Sequence, residues 1–415
     1  MKIEKVHIKN IKGIKDLELS FRKDDKILDL IVLAGVNGSG KTTILEAIKD
    51  FFYNTNVNYS NLEKSNVNLD IFFEDFEKKN IEEAKKKSNY SKKESKLFDF
   101  FNALHLYSFD KNIKNASYEI QIEKYFNTPP KIIYVPANNS FGKVETASTT
   151  LSKNYQLINI IDSVAMRDIP SYIATRRNYL ATIEEDLTMK EITNKVVNEI
   201  NDIFNILELD VKLKGFSKDE RTMPIFENSA GEEFDINDLS SGEKQLFLRT
   251  LSIKMLEPDN SIILIDEPEL SLHPKWQQRI IEVYKNIGKN NQIIVATHSP
   301  HILGSVSNEN IFILYRNENG KIDAKTGDDI YSSYGQPVER VLKDIMGLKS
   351  VRTPKINRDI QELRKLVDED KYDTEEFKKK YNNLLEILGN TDEDLFLIDM
   401  DIKMKQKVNS NVESK

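Results

Sequence analysis

The chain has 415 residues, of which 39% are hydrophobic and 31% charged, and its net charge is -7. The absence of cysteine excludes disulfides and Cys-ligated zinc or iron–sulfur sites and fits a cytosolic setting. No apolar run approaches the roughly 20 residues of a membrane span, the N-terminus lacks a signal-peptide core, and the acidic balance disfavours indiscriminate coating of nucleic acid, so a cytoplasmic protein without a membrane partner is expected.

KVHIKNIKGIKDLELSF (5–21) alternates apolar and polar residues, which predicts half-buried antiparallel strands. ILDLIVLAG (27–35) predicts a buried strand that runs straight into GVNGSGKTT, after which TILEAIKDFF begins a helix. Residues 53–130 read as an insertion whose segment 77–96 is dense in charge. YEIQIEKYF and KIIYVPANNSF predict strands, residues 141–215 a mostly helical stretch, and VKLKGF and MPIFEN short strands. SIILIDEPE (261–269) and NQIIVATHS (291–299) are apolar runs ending in polar loops, as buried parallel strands do. NIFILYRNENGKIDAKT predicts a hairpin turning at Glu318–Gly320. Further on, Ile356, Ile360, Leu363 and Val367 share one helical face, and Phe377, Tyr381, Leu384 and Leu388 another, with Asp373 and Glu376 as a capping-box variant. Leu395, Ile398 and Ile402 continue as a third stripe.

GVNGSGKT, Gly35 to Thr42, fits the spacing G-x-x-x-x-G-K-[ST]. Its glycines let backbone N–H groups turn toward phosphate oxygens, a cradle drawn from Asn37, Gly38, Ser39, Gly40 and Thr43. Lys41 is placed to reach the β and γ phosphates of ATP, and Thr42 to ligate Mg²⁺. SIILIDEPE carries Asp266 and Glu267 to an exposed strand end. Asp266 is the second metal candidate, and Glu267 the candidate general base for the attacking water. VATHSPH places His298 at another strand end, where it can donate a hydrogen bond to a γ phosphate. His301 reads as a surface residue.

DLSSGEKQ (238–245) is a second polar, glycine-punctuated loop at a helix start, rich in the groups that hold an anion. One nucleotide site is already complete without it. It gains a use if Ser240, Ser241, Gly242 and Glu243 face the nucleotide held by another copy of the chain, which gives two shared sites and an ATP-sandwich dimer.

The motif LSSGEKQ resembles the signature of ABC-type ATPases, usually LSGGQ, with Ser241 in place of the second signature glycine. With GVNGSGKTTILEAI and DEPELSLHP, the chain looks like the branch that includes RecF, the SMC proteins and the OLD-family ATPases. The resemblance is carried by residues 1–52 and 238–304. It implies an α/β, ABC-type P-loop ATPase core with a mixed sheet, an antiparallel N-terminal subdomain, a helical insertion lobe and a C-terminal helical appendage. The corresponding division is 1–52 and 238–335 for the core, 53–130 for the charged insertion, 131–237 for the lobe and 336–415 for the appendage. The resemblance also implies a catalytic role for Glu267, a switch role for His298, and a D-loop at Ser271 to Pro274. For the family's glutamine loop, Gln121 and Asn138 are the candidates, and for a side chain stacked on adenine, Phe21 and Arg22.

The stretch between Lys41 and Ser240 has no heptads, so long SMC-type arms are excluded. Asp394, Asp399 and Asp401 lack the strand scaffold of an appended Toprim nuclease and read as a solvated helix face. ATPases of this shape are similar to ATPase subunits of bacterial anti-phage defence, above all those of Septu systems. That likeness implies a homo-oligomer of sandwich dimers gating a separate effector, such as an HNH or Toprim nuclease. A RecF-like ATPase that senses or repairs DNA is the alternative. A transporter subunit is disfavoured by the DEPELSLHP run.

Overall fold

The computed structural model describes residues 1–57, 66–73, 78, 130–137, 157–219 and 222–413. The expected strand YEIQIEKYF, both glutamine-loop candidates and, apart from residue 78, the charged segment 77–96 lie outside these. The chain divides into two units, Met1–Val341 and Leu342–Lys415.

In the first unit, β1 (Lys2–Ile11) and β2 (Ile14–Ser20) form the expected hairpin. The chain then enters β3 (Leu30–Gly35) and, across the glycine loop, α1 (Lys41–Val57). β4 (Val67–Phe72) joins β1 to complete a three-stranded antiparallel sheet. β5 (Ile132–Val135) and β6 (Ile158–Ile160) follow, then α2 (Ile169–Ile183) and α3 (Met189–Phe204). A small antiparallel sheet of β7 (Lys212–Phe216), β8 (Pro224–Glu227) and β9 (Glu233–Asp235) precedes α4 (Ser241–Met255). The remaining strands are β10 (Ile262–Asp266), β11 (Gln292–Ala296), β12 (Ile311–Arg316) and β13 (Ile322–Thr326). The lobe is therefore mixed rather than helical throughout.

The central sheet runs β13-β12-β3-β11-β10-β5-β6, parallel except for β13, which pairs antiparallel at the edge. Every residue of β3, β5, β10 and β11 is buried, because helices and the second sheet cover both faces. One face shows the period of two that strands impose. Ile31 and Leu33, Ile262 and Leu264, and Ile294 and Ala296 share a core with Ile44, Leu45, Ile48 and Phe52 of α1. The same core takes in Ile3, Ile8, Leu17 and Leu19 of the N-terminal sheet, so α1 packs against both sheets. Full burial of each such Ile, Leu or Phe side chain contributes about 1.5–3 kcal/mol relative to exposure. Gln292 joins the two sheets: its Oε1 accepts from the Ile3 N–H at 2.7 Å and its Nε2 donates to the Ile3 carbonyl at 2.8 Å.

Helix α4 is buried on nearly all sides, with Leu246, Phe247, Leu248, Leu251 and Ile253 at most 1% exposed. Phe247 meets Phe204 of α3 at 4.4 Å and Phe226 of β8 at 5.0 Å between ring centroids, and this binds the lobe to α4.

The second unit packs α5 (Pro354–Asp368), α6 (Glu375–Leu388) and α7 (Glu393–Glu413) around Ile360, Leu363, Val367, Phe377, Leu384, Leu395 and Ile398. These are the expected stripes. The cap of α6 is Thr374, whose side chain accepts from the Phe377 N–H, and not Asp373, because the helix starts one residue later. Asp394 accepts from Arg352 at 2.7 Å and Arg364 at 2.8 Å. Its half-buried carboxylate is an ion-pair anchor within the unit rather than part of a solvated helix face.

Candidate nucleotide-binding and hydrolysis site

The sheet order brings three loops together. β3, β11 and β10 are adjacent and parallel, with Leu33 beside Ala296 and Ala296 beside Asp266, so the residues that follow them emerge at one edge. Open parallel sheets place ligands at the carboxyl ends of their strands.

The glycine loop follows β3. Gly35 has φ 139°, and a Cβ there would lie 2.3 Å from the Leu314 carbonyl oxygen, so only glycine fits. Asn37 and Gly38 are exposed, Ser39 is buried, Gly40 and Thr43 are half-buried, and Thr42 is exposed at the start of α1. Lys41 is only 5% exposed. Its Nζ donates to the carbonyls of Gly35 at 2.9 Å and Val36 at 3.2 Å, and to Ser39 Oγ at 3.4 Å. Burial pushes this ammonium down to about 8, against the pull of Glu267, Asp266 and Glu269. A buried cation whose hydrogen-bond acceptors among the described residues are all neutral is poised for an anion.

Thr42 Oγ1 donates to Asp266 Oδ1 at 3.1 Å, which joins the two metal candidates across the sequence. Asp266 is 3% exposed, and burial pushes its carboxyl up to about 6 even though the Thr42 hydroxyl opposes the shift. Among the described residues no group of three His, Asp or Glu could hold a metal alone. A hydroxyl and one buried acid suit Mg²⁺, which keeps waters and draws its other ligands from substrate phosphates.

Glu267 carries a left-handed φ of 45°. Its N–H donates to the Ala296 carbonyl at 2.8 Å. His298 Nε2 stands 3.8 Å from Glu267 Oε1. Burial and then the Lys41 ammonium hold the imidazole below its ordinary value, against Glu267. Lys41, Thr42, Asp266, Glu267 and His298 are thus assembled within one chain. Of the remaining sequence candidates, Phe21 is fully buried, edge-on to Phe312 at 5.4 Å, and cannot stack on a base. Arg22 is held by Glu4 at 2.5 Å and the Asp25 carbonyl at 3.2 Å. His301 is half-buried rather than a plain surface residue.

At the second loop, Ser240 caps α4. Its hydroxyl donates to Glu243 Oε2 at 2.5 Å and accepts from the Glu243 N–H at 3.3 Å, a complete capping box. Ser240 and Ser241 are exposed, whereas Gly242 is buried. A Cβ on Gly242 would lie 2.5 Å from the carbonyl oxygen of Ser271, so its lack of a side chain is set by packing against the D-loop. Among the described residues no hydrogen bond or ion pair joins Ser240–Glu243 to the glycine loop.

Two polar residues escaped the sequence reading. Glu269 accepts from the His298 N–H at 2.6 Å and from Thr297 Oγ1 at 2.8 Å, and its burial raises its pKa. Arg249 is 2% exposed and donates to the carbonyls of Asp266, Pro136 and Glu267. The only signal for Arg249 was a charge inside the apolar run LFLRTLSI.

A phosphate cradle, an acidic strand end and a strand-end histidine on a mixed sheet define an ABC-type P-loop ATPase. The AAA_15 family, described as an AAA ATPase domain, matches residues 1–303, and the chain belongs to it: it is a nucleotide-binding, ATP-hydrolysing enzyme. The chain is similar to the Septu protein PtuA of Bacillus thuringiensis, 26% identical over 389 residues that cover 89% of this chain and 90% of that protein. It is also similar to the Retron Ec83 probable ATPase of Escherichia coli, 27% identical over 55% of this chain and 43% of that protein. Among solved structures, the SMC head domain from Thermotoga maritima aligns over 79% of this chain and 100% of that chain, with 15% identity and a TM-score of 0.40. No described helix is long and apolar enough to cross a membrane.

Proposed function

We propose that the protein binds ATP with Mg²⁺, closes with a second copy of itself over two shared nucleotides, and uses hydrolysis to hold or release a separate effector, a nuclease of HNH or Toprim type, in anti-phage defence. The observation that carries this reading is the division of the site. One chain assembles Lys41, Thr42, Asp266, Glu267 and His298, while among the described residues the side chains of the exposed Ser240 and the half-buried Glu243, at the head of a buried helix, hydrogen-bond within their own capping box and not to that cluster. The similarity to PtuA along most of both chains supports the defence setting.

In this mechanism Lys41 and the loop N–H groups hold the phosphates. Mg²⁺, when bound, neutralises charge on them, with Thr42 and Asp266 as its protein contacts. Glu267 accepts the proton of the attacking water, and His298 donates to the oxygen on which charge grows. Ser240 trades its hydrogen bond with Glu243 for the partner's nucleotide.

The test is capture. Glu267→Gln protein, held in ATP and Mg²⁺, is recovered from its native host, and what travels with it is identified by mass spectrometry. A nuclease bound in ATP and lost without it is expected. DNA alone, or only further copies of the chain, would move the reading to a RecF-like sensing or repair ATPase.

A further inference from the structure

We propose that Arg249 is a positioning residue for ATP hydrolysis, which fixes the backbone of Glu267 from the middle of the signature helix. The inference rests on the assignment of Glu267 as the base. Arg249 heads the largest fully buried side chains among the described residues. A guanidinium taken out of water costs several kcal/mol unless its donors are satisfied. Its buried Nε has no partner among the described residues, and the guanidinium is held through its two Nη atoms by main-chain oxygens: Nη2 donates to the Asp266 carbonyl at 2.9 Å and the Pro136 carbonyl at 3.2 Å, and Nη1 to the Glu267 carbonyl at 3.3 Å. Three acceptors from the exits of β5 and β10 are thereby gathered by one planar fork, a geometry that the single ammonium of lysine cannot reproduce.

The strained residue among them is Glu267. A left-handed backbone at a non-glycine residue is strained, so it persists only where neighbours hold it. Glu267 is held by the Ala296 carbonyl on its N–H, and on its carbonyl by Arg249 and by the Leu270 N–H, each at 3.3 Å. Arg249 is the tether that comes from outside the loop; without it only the local turn to Leu270 holds the carbonyl, and the carboxylate is free to shift with the peptide. Misplacement on the order of 1 Å can cost a hundredfold in rate. Arg249 lies on the helix that Ser240 caps, so one helix carries both the Ser240 loop and the tether to the Glu267 backbone.

The experiment compares Arg249→Lys and Arg249→Met with the unaltered protein and with Glu267→Gln, measuring ATP affinity, KM, kcat and the thermal midpoint. Expected is a fall in kcat of at least about tenfold for Arg249→Lys, with ATP affinity and KM within about twofold and the midpoint retained. Arg249→Met should fall further, and partial recovery by lysine marks the hydrogen bonds as the cause. Should the methionine variant fail to fold, the lysine variant decides. A lysine variant that turns over normally, or one that loses affinity as steeply as rate, overturns the inference. Normal turnover by Glu267→Gln would overturn the base assignment itself. Loss there beside a fully active Arg249→Lys would remove only the role of Arg249.

Discussion

Glu269 and Glu267 stand two residues apart on one loop and do different work. Both are half-buried, but Glu267 lies beside the His298 ring, whereas Glu269 accepts from the His298 N–H and the Thr297 hydroxyl. Glu269 therefore fastens the switch loop to the loop after β10. Glu269→Ala leaves that N–H without its acceptor, a loss of about 1–3 kcal/mol, and frees His298 to drift. Steady-state assays should show a lower kcat with nearly unchanged ATP affinity, and Glu269→Gln, which keeps an acceptor oxygen, should recover part of it. Unaltered turnover in the alanine variant would detach Glu269 from the site. Lys41, Thr42, Asp266, Glu267 and His298, the candidates that the fold brings together, were legible in the sequence because each sits at a fixed offset from an apolar strand or a glycine. Arg249 and Glu269 were not, since their partners are brought near only by folding.

The helix that begins at Ser241 is the element on which the lobe rests. Phe247 on this helix is 1% exposed and wedged between Phe204 and Phe226. Phe247→Ala should cost about 3–5 kcal/mol, read as a lower urea midpoint, with the loss concentrated where lobe and core meet. A midpoint within error of the parent would mean that the lobe is held elsewhere. Strands β3, β10 and β11 were visible as apolar runs because both their faces are covered, and α5, α6 and α7 as stripes because only one face of each is. β6 and β9 have three residues each, too few to show an alternation. The signature helix gave no amphipathic pattern because it has almost no solvent face.

At the scale of the molecule, the proposed dimer divides each ATP site between two chains. Lys41 belongs to one half and Ser240 to the other, so a defect in each half should be separable. Lys41→Ala removes the phosphate anchor. Ser240→Arg blocks the approach of the partner's nucleotide while leaving the chain's own cradle intact. Each variant alone should be inactive. The direct measurement is ATP turnover after the two purified variants are mixed in equal amounts. In a mixed dimer, Lys41 of one chain faces Ser240 of the other and restores one intact site, so turnover should rise to about a quarter of the parent value, as two-fold symmetry requires. No recovery on mixing, or full activity of Ser240→Arg alone, would contradict the shared site.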